Sequence, residues 1–121
     1  MRMSNHPIVE GLEAACALDE IEPCALRRQW NRTASIANGM RKRDAGRILS
    51  FRDGTGGMCF NFITGRAVIF YYDYHGKRPS RAELRRAQAE MRKQRELYEA
   101  ETRARQYAVS ILAAQIWDGA D

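Results

Sequence analysis

Residues 46–75, GRILSFRDGTGGMCFNFITGRAVIFYYDYH, contain three short apolar stretches separated by two glycine-containing turns. The stretches cover residues 47–52, 58–63 and 66–72, and the turns are DGTGG and TG. Turns this short join neighbouring strands of an antiparallel sheet. Alternation in the middle stretch predicts Met58, Phe60 and Phe62 on one face, whereas the third stretch is apolar on both faces, as in a covered central strand. The sequence therefore predicts a small antiparallel meander of three to four strands.

An N-terminal helix is expected to cover this sheet, because three short strands are not stable without a further layer. Ile8, Leu12 and Cys16 recur at helical spacing, which predicts a helix over residues 5–18. Residues 26–44 show no clear period, so we expect a loop there with at most one short strand or helix. Helices combined with an antiparallel meander place the chain in the α+β class.

A long helix is predicted to close the chain. Ser80 followed by Glu83 is a capping-box pattern, and the helical pattern then continues over residues 80–117. Thirty-eight helical residues would span roughly 57 Å, more than the roughly 30 Å diameter of a small domain. Part of the helix must therefore project, bend back or pair with another chain. We expect a small α+β sheet domain over residues 1–78 and a charged helix over residues 79–118, packed on it or projecting from it.

The positive charge of the chain is concentrated in its middle. The formal net charge is +5, with a balance of −4 in residues 1–22, +8 in residues 23–78 and +1 in residues 79–121. The excess is strongest between residues 27 and 52. A local basic excess attracts polyanions and is the usual electrostatic footprint of nucleic-acid binding, although a solvated basic surface without a partner has the same composition.

Several classes of protein and site are not expected. No apolar run approaches the roughly 20 residues of a membrane-spanning helix, and no secretory signal sequence is evident. An odd number of cysteines argues against a disulfide scaffold and for a reducing, cytoplasmic location. Cys16, Cys24, Cys59, His6 and His75 lack the paired spacing of a zinc site, so no metal is expected.

Catalysis is not expected either. The glycine-rich stretch 53–57 leads into a strand, whereas a P-loop leads into a helix, so a hairpin turn is the better interpretation. The two histidines have no evident nucleophile and orienting partner nearby in the sequence. We therefore expect a non-enzymatic protein without a cofactor.

Candidate nucleic-acid contacts combine basic side chains with aromatic ones, because single-strand binders stack bases on rings and track phosphates with cations. Most of the rings must form the core of the sheet, and tyrosines near a strand end are the best candidates for contact. The predicted nucleic-acid-binding residues are Arg41, Lys42, Arg43, Arg47, Arg52, Arg66, Tyr72 and Tyr74.

One stretch carries a resemblance to a known family. It runs from Asp44 to Gly65, with the pattern DGTGG … N-F-I-T-G, and is followed by a charged helix that ends in A-A-Q-I-W at 113–117. Over residues 44–118 this order resembles the N-terminal region of toprim-type primases carried by conjugative plasmids, phages and integrated elements. The acidic catalytic core of those proteins would follow the tryptophan, and no part of it is present in this sequence. The resemblance therefore implies a template-contacting or partner-contacting accessory module and carries over no catalytic residue.

Two functions follow as expectations. The first is binding of nucleic acid, DNA rather than RNA and single-stranded or primed, as a non-catalytic accessory in replication or transfer of a mobile element. The second is a protein-interaction adaptor or homo-oligomerising module that acts through the helix 80–117 on a replication protein or a second copy, or as an inhibitor of a host nucleic-acid enzyme. The residues expected to form that contact are Ile111, Leu112, Ile116 and Trp117.

Overall fold

A computed structural model describes residues 6–72 and 79–118, and the side chains of the same residues except 117 and 118. The elements in chain order are β1 (Ile8–Glu10), α1 (Leu12–Asp19), β2 (Trp30–Ser35), a 3₁₀ segment (Ala37–Gly39), β3 (Lys42–Ser50), β4 (Gly56–Asn61), β5 (Ala67–Tyr71) and α2 (Arg81–Asp118). The chain divides into two compact units, Met1–Met91 and Arg92–Asp121. The first unit contains the sheet, α1 and the first turns of α2, and the second contains the rest of α2.

The five strands form one mixed sheet in the order β1-β5-β4-β3-β2. Strands β2 to β5 are an antiparallel meander, and β1 pairs in parallel with β5 at the far edge. The α+β class and the meander are confirmed. The prediction of three to four antiparallel strands is corrected to a five-stranded mixed sheet.

The N-terminal helix is shorter than predicted, because the segment 5–18 divides at Gly11. Gly11 has a φ of 86°, a left-handed conformation that glycine adopts without strain, and this residue separates β1 from α1. Ile8 is paired with Ile69 of β5. The β-branched pair Ile8-Val9 suits a strand as well as a helix, so spacing alone could not distinguish the two.

The segment 26–44, predicted as a loop with at most one short strand or helix, contains the edge strand β2, the 3₁₀ segment and the start of β3. Four of the six residues of β2, WNRTAS, are polar. This composition suits a strand at the edge of the sheet, whose outer side does not contact the apolar core. The outer side of this strand is covered by the preceding loop. The Glu22 amide donates to Ala34 O at 2.9 Å, the Ile36 amide donates to Glu20 O at 2.8 Å, and the Thr33 hydroxyl donates to Glu22 O at 2.6 Å. These bonds close an edge that would otherwise be open to further strands.

Both faces of the sheet carry an apolar cluster. The cluster on the α2 side consists of Leu49, Phe51, Met58, Phe60, Ala67, Ile69, Ala87 and Met91, with Trp30, Phe62 and Leu84 packed against it. The cluster on the α1 side consists of Ala15, Cys16, Ile21, Ile48, Cys59, Val68 and Phe70. The predicted alternation in β4 is therefore confirmed, and β5 is apolar on both faces because a helix covers each of them.

The glycine pair in β4 is required by close packing against its two neighbouring strands. A Cβ atom on Gly56 would lie 2.0 Å from Phe70 O, and one on Gly57 would lie 2.1 Å from Leu49 O. Both distances are too short for any side chain, so the strand needs glycine at both positions. The turn before them is fixed by Asp53, whose carboxylate accepts hydrogen bonds from the Thr55 amide at 3.0 Å and the Thr55 hydroxyl at 2.7 Å.

The start of α2 is tied to the sheet. The Glu83 amide donates to Ser80 Oγ at 3.1 Å, which confirms the predicted N-cap. The Glu83 carboxylate accepts from the Arg52 amide at 2.6 Å and pairs with Arg86, where a capping box would turn it back to the Ser80 amide. The first turn of the helix is thereby attached to the β3–β4 turn. Within the described ranges, no helix combines the length and apolar character needed to cross a bilayer.

We predict that Gly57→Ala destabilises the protein by about 3 kcal/mol or more, because the added methyl group overlaps a strand carbonyl that cannot move alone. The matched control is Gly39→Ala, where the new Cβ meets no atom within 4 Å and only the positive φ of 71° opposes it. That control should cost about 1 kcal/mol. Urea denaturation followed by circular dichroism measures both losses, and equal losses would contradict the packing argument.

Candidate nucleic-acid interface

The longest acid-free stretch of the first unit forms one edge of the sheet. Residues 23–43 contain six arginines and lysines and no aspartate or glutamate. They form the loop before β2, β2 itself, the 3₁₀ segment and the first residues of β3. We call the exposed cations of this stretch, other than Arg41, the basic edge; its members are Arg27, Arg28, Arg32, Lys42 and Arg43.

The predicted cluster at residues 41–43 is only partly available to a ligand. Arg41 is exposed but forms a two-pronged ion pair with Glu22, with Nε–Oε1 at 2.6 Å and Nη2–Oε2 at 3.2 Å. This hydrogen-bonded arginine lowers the pKa of the Glu22 carboxyl. Lys42 and Arg43 are exposed at the start of β3. Two of the three predicted cations therefore belong to the basic edge, and the charge of the third is balanced by Glu22.

Arg47 is placed inside the fold, away from any polyanion in solvent. Only 2% of its surface is exposed. Its guanidinium donates to Gly46 O at 2.8 Å and to Asp44 O, and its Cζ lies 4.9 Å from the centre of the Phe62 ring. These contacts make Arg47 part of the packing of β3. We therefore remove it from the set of candidate phosphate contacts.

Arg52 and Arg66 are exposed but lie at opposite ends of the meander. Arg52 follows β3 in the turn to β4, and Arg66 precedes β5 at the other end of β4. The Arg66 Nη1 donates to Leu18 O at 2.9 Å, which links it to the end of α1. The structure does not bring these two residues together.

Tyr72, one of the two predicted tyrosines, is part of the packing at the end of β5. Tyr72 is partly buried, contacts the α1-side cluster and packs edge-on against Phe70 with ring centres 5.7 Å apart. Its amide donates to Thr55 O at 2.9 Å. Tyr72 therefore contributes to the fold at the end of β5. Tyr74 lies outside the described residues.

A cleft of about 400 Å³ lies on the basic edge, and sequence reasoning did not assign it. Its lining residues are Cys24, Ala25, Arg27, Arg28, Trp30, Asn31 and Arg32. The cleft brings three arginines and one indole ring together within nine positions of the chain. The sequence signal that could have found it is the acid-free stretch combined with the tryptophan at its centre.

Asn31 fixes the shape of this cleft. Its side-chain oxygen accepts hydrogen bonds from the Arg27 amide at 3.0 Å and the Arg28 amide at 3.2 Å. Its side-chain NH₂ donates to Arg28 O at 3.0 Å and to Ile48 O at 3.3 Å. The buried amide thus holds the arginine-bearing loop against β2 and β3. The backbone of the cleft is ordered before any ligand arrives.

Trp30 and Arg32 both line the cleft and lie close to each other. Both point to the α2 side of the sheet, because they are two residues apart in β2. The Arg32 Cζ lies 5.9 Å from the centre of the Trp30 ring, within the range of a cation–π contact. Trp30 is partly buried against the α2-side cluster, whereas Arg32 is exposed.

The predicted contact residues of α2 are exposed. Ile111, Leu112 and Ile116 show 41%, 56% and 66% of their surface, and Tyr107 and Val109 are exposed as well. Trp117 lies within α2, but its side chain is outside the described set. The second unit therefore presents a group of large apolar side chains in its last turns.

Cys16 and Asp19 of α1 and Cys59 of β4 form a buried cluster between the helix and the sheet. The two cysteines are close in space although 43 positions separate them in the sequence. Cys16 and Cys59 share a hydrogen bond, and this bond together with burial raises the pKa of the Cys59 thiol. Across the part of the chain that the structure describes, no three His, Cys, Asp or Glu side chains are arranged to hold a metal ion.

Asp19, at the end of α1, is the most unusual member of that cluster. It is 1% exposed, and neither of its carboxylate oxygens accepts a hydrogen bond from a described residue. Burial raises the pKa of Asp19 to about 8, against the opposing effect of Arg66. The carboxyl is therefore mostly protonated at neutral pH and is buried as a neutral acid.

We predict that the protein becomes less stable as the pH rises from 4 to 8, because the folded state keeps the Asp19 proton that the unfolded chain releases near pH 4. Asp19→Asn should flatten this dependence and stabilise the protein by about 2 kcal/mol or more at pH 8. Thermal unfolding across the pH range is the measurement. Glu13→Gln, an exposed change on the same helix, should leave the dependence intact, and an unchanged profile in Asp19→Asn would refute this account.

Comparisons of this chain with protein-family models, with curated proteins and with solved structures gave no match.

Proposed function

We propose that the chain binds nucleic acid through the basic edge. The observation that carries the proposal is the lack of compensating charge around the five cations. Among the described residues, no carboxylate oxygen lies within 4.0 Å of their side-chain nitrogens. Elsewhere, Arg41, Arg86 and Arg95 each pair with a glutamate. Exposed cations without such partners keep their full attraction for a phosphate backbone.

The spacing of the cations suits an extended polyanion. Arg27 and Arg28 precede β2, Arg32 lies within it, and Lys42 pairs with Ser35 at its end. The six residues of β2 extend over about 16 Å at 3.2–3.4 Å each, so the cations are distributed along a line and not gathered at one point. Cations arranged in this way can neutralise several phosphates and release their counterions, which favours a nucleic-acid strand over a small anion.

The proposal gives the chain no catalytic step. Its biological part, an accessory role in the replication or transfer of a mobile element with DNA as the ligand, depends on the primase resemblance of the motif residues. All five cations of the basic edge lie before the stretch that carries this resemblance, which begins at Asp44. Binding of nucleic acid and the mobile-element role are therefore separate claims that separate experiments can test.

We predict that Lys42→Gln with Arg43→Gln weakens binding to a DNA oligonucleotide and lowers the slope of log affinity against log salt by up to about two. Fluorescence anisotropy over a salt series gives both quantities. The matched control is Arg92→Gln with Lys93→Gln, which removes the same two charges from exposed positions of α2. A wild-type protein that binds no DNA at low salt would refute the proposal, and equal losses in the two variants would refute the assignment to the basic edge.

Self-association is the second candidate function, and the exposed apolar residues of α2 favour it. Val109, Leu112 and Ile116 follow one another at intervals of three and four residues, the spacing of a coiled-coil seam. All three are more than half exposed. The seam is short, because the position before it is Arg105. We propose a second copy of the same helix as the occupant, since an apolar seam of this spacing is complementary to itself.

We predict that the wild type sediments as a dimer at micromolar concentration and that Leu112→Glu with Ile116→Glu is a monomer, because paired seam positions would then carry like charges. The control Ser110→Glu with Ala114→Glu adds the same charge outside the seam and should remain dimeric. Circular dichroism verifies that helix content is retained in both variants. A wild type that is monomeric at all concentrations would eliminate the second candidate.

A further inference from the structure

We propose that the cleft around Trp30 is a subsite for one unpaired base of a single-stranded nucleic acid, with the base held between the Trp30 indole and the Arg32 guanidinium. The inference rests on the proposed function and adds to it the class of ligand and a stacking residue. Tyr72, the one predicted tyrosine that the structure describes, is not among the lining residues of this cleft.

The indole is suited to act as a fixed platform. Trp30 packs against the α2-side cluster and is paired with Leu49 of β3, so one part of the ring is held by the core. The Arg32 guanidinium lies over the ring, with its Cζ 5.9 Å from the ring centre, and both residues line the cleft. A platform that is already ordered loses little conformational entropy when a base stacks on it.

The Arg32 side chain is free to move away from the Trp30 ring when a base enters. It is exposed, and among the described residues it has no carboxylate partner that would hold its guanidinium in place. The guanidinium is planar and stacks on bases as well as on indole rings. A base that enters the cleft therefore replaces one cation–π contact with two stacking contacts, one to each side chain.

The rest of the cleft provides for the phosphates that flank such a base. Arg27 and Arg28 line the same cleft, and the Asn31 side chain fixes their backbone through hydrogen bonds of 3.0 and 3.2 Å. A volume of about 400 Å³ lies at the lower end of the 300–1,000 Å³ typical of sites for small organic groups. One nucleotide unit fits this description, and a continuous duplex does not.

The use of the indole distinguishes an unpaired strand from other polyanions. In a duplex, the bases are stacked on one another and their faces cannot reach a ring in a cleft. An acidic peptide would satisfy the arginines but would leave the indole without a stacking partner. A single strand can turn one base outward and use both features of the site.

Trp30 fluorescence provides a direct test. The 121-residue chain has two tryptophans, so Trp117→Phe leaves Trp30 as the only indole reporter in it. The probes are a twelve-residue oligothymidylate, an abasic strand with the same number of phosphates, and a blunt duplex of the same length. We expect the oligothymidylate to quench Trp30 and to bind at least fivefold more tightly than the abasic strand and the duplex.

Substitutions then assign this preference to the two side chains. Trp30→Leu should remove the preference for bases and leave the salt slope unchanged, whereas Trp30→Phe should retain part of the preference. Because Trp30 contacts the core, Arg32→Gln serves as an independent surface variant and should also lower the preference. Arg85→Gln removes the same charge from an exposed position of α2 and should not alter it.

The outcomes separate the stacking inference from the proposed function. If all three probes bind equally, with a salt dependence that Lys42→Gln with Arg43→Gln reduces, the stacking inference is wrong and nucleic-acid binding stands. The stacking inference is also wrong if polyglutamate competes as well as the oligothymidylate and neither changes the fluorescence of Trp30. If no oligonucleotide binds at low salt, both the inference and the proposed function are overturned.

Discussion

One buried side chain, Asn61, ties the end of α1 to the sheet and to the turn between β4 and β5. It is fully buried, and its NH₂ group donates to Asp19 O at 2.9 Å and to Glu20 O at 3.1 Å. Its oxygen accepts the Ile63 amide at 2.9 Å, in the turn between β4 and β5. The end of α1 is thereby fixed to the sheet, and the chain that leaves it is directed along β2. The position of the basic edge depends on this link.

The residues that carry the primase resemblance have structural explanations in this fold. Asp53 closes a turn through Thr55, Gly56 and Gly57 permit close packing of three strands, and Asn61 binds the end of α1. None of them lines the cleft. The motif therefore describes an architecture, while the candidate binding surface consists of residues before it. A motif whose residues are required by the fold is evidence about folding first and about ligands second.

The sequence predicted correctly those elements whose hydrophobic pattern or capping residue fits only one type of secondary structure. The strands β4 and β5 alternate or are apolar on both faces, and Ser80 caps α2 as expected. For the region of β2 the sequence predicted only a loop with at most one short strand or helix, because the pairing of this polar strand with β3 comes from the rest of the sheet. The burial of Arg47 depends on distant contacts with Phe62, which composition does not reveal. The cleft was missed for the same reason, since Asn31 closes it through Ile48.

The parallel pairing of β1 with β5 also bears on the order in which the chain folds. Ile8 pairs with Ile69 across about sixty intervening residues, whereas the pairs within the meander are formed by adjacent strands. Closing so long a loop costs more entropy than forming a hairpin, so we expect β1 and α1 to dock on a meander that is already formed. The loop that follows α1 and shapes the cleft then acquires its native path late. A ligand held there stabilises the completed chain by mass action against intermediates in which the N-terminal segment is still undocked.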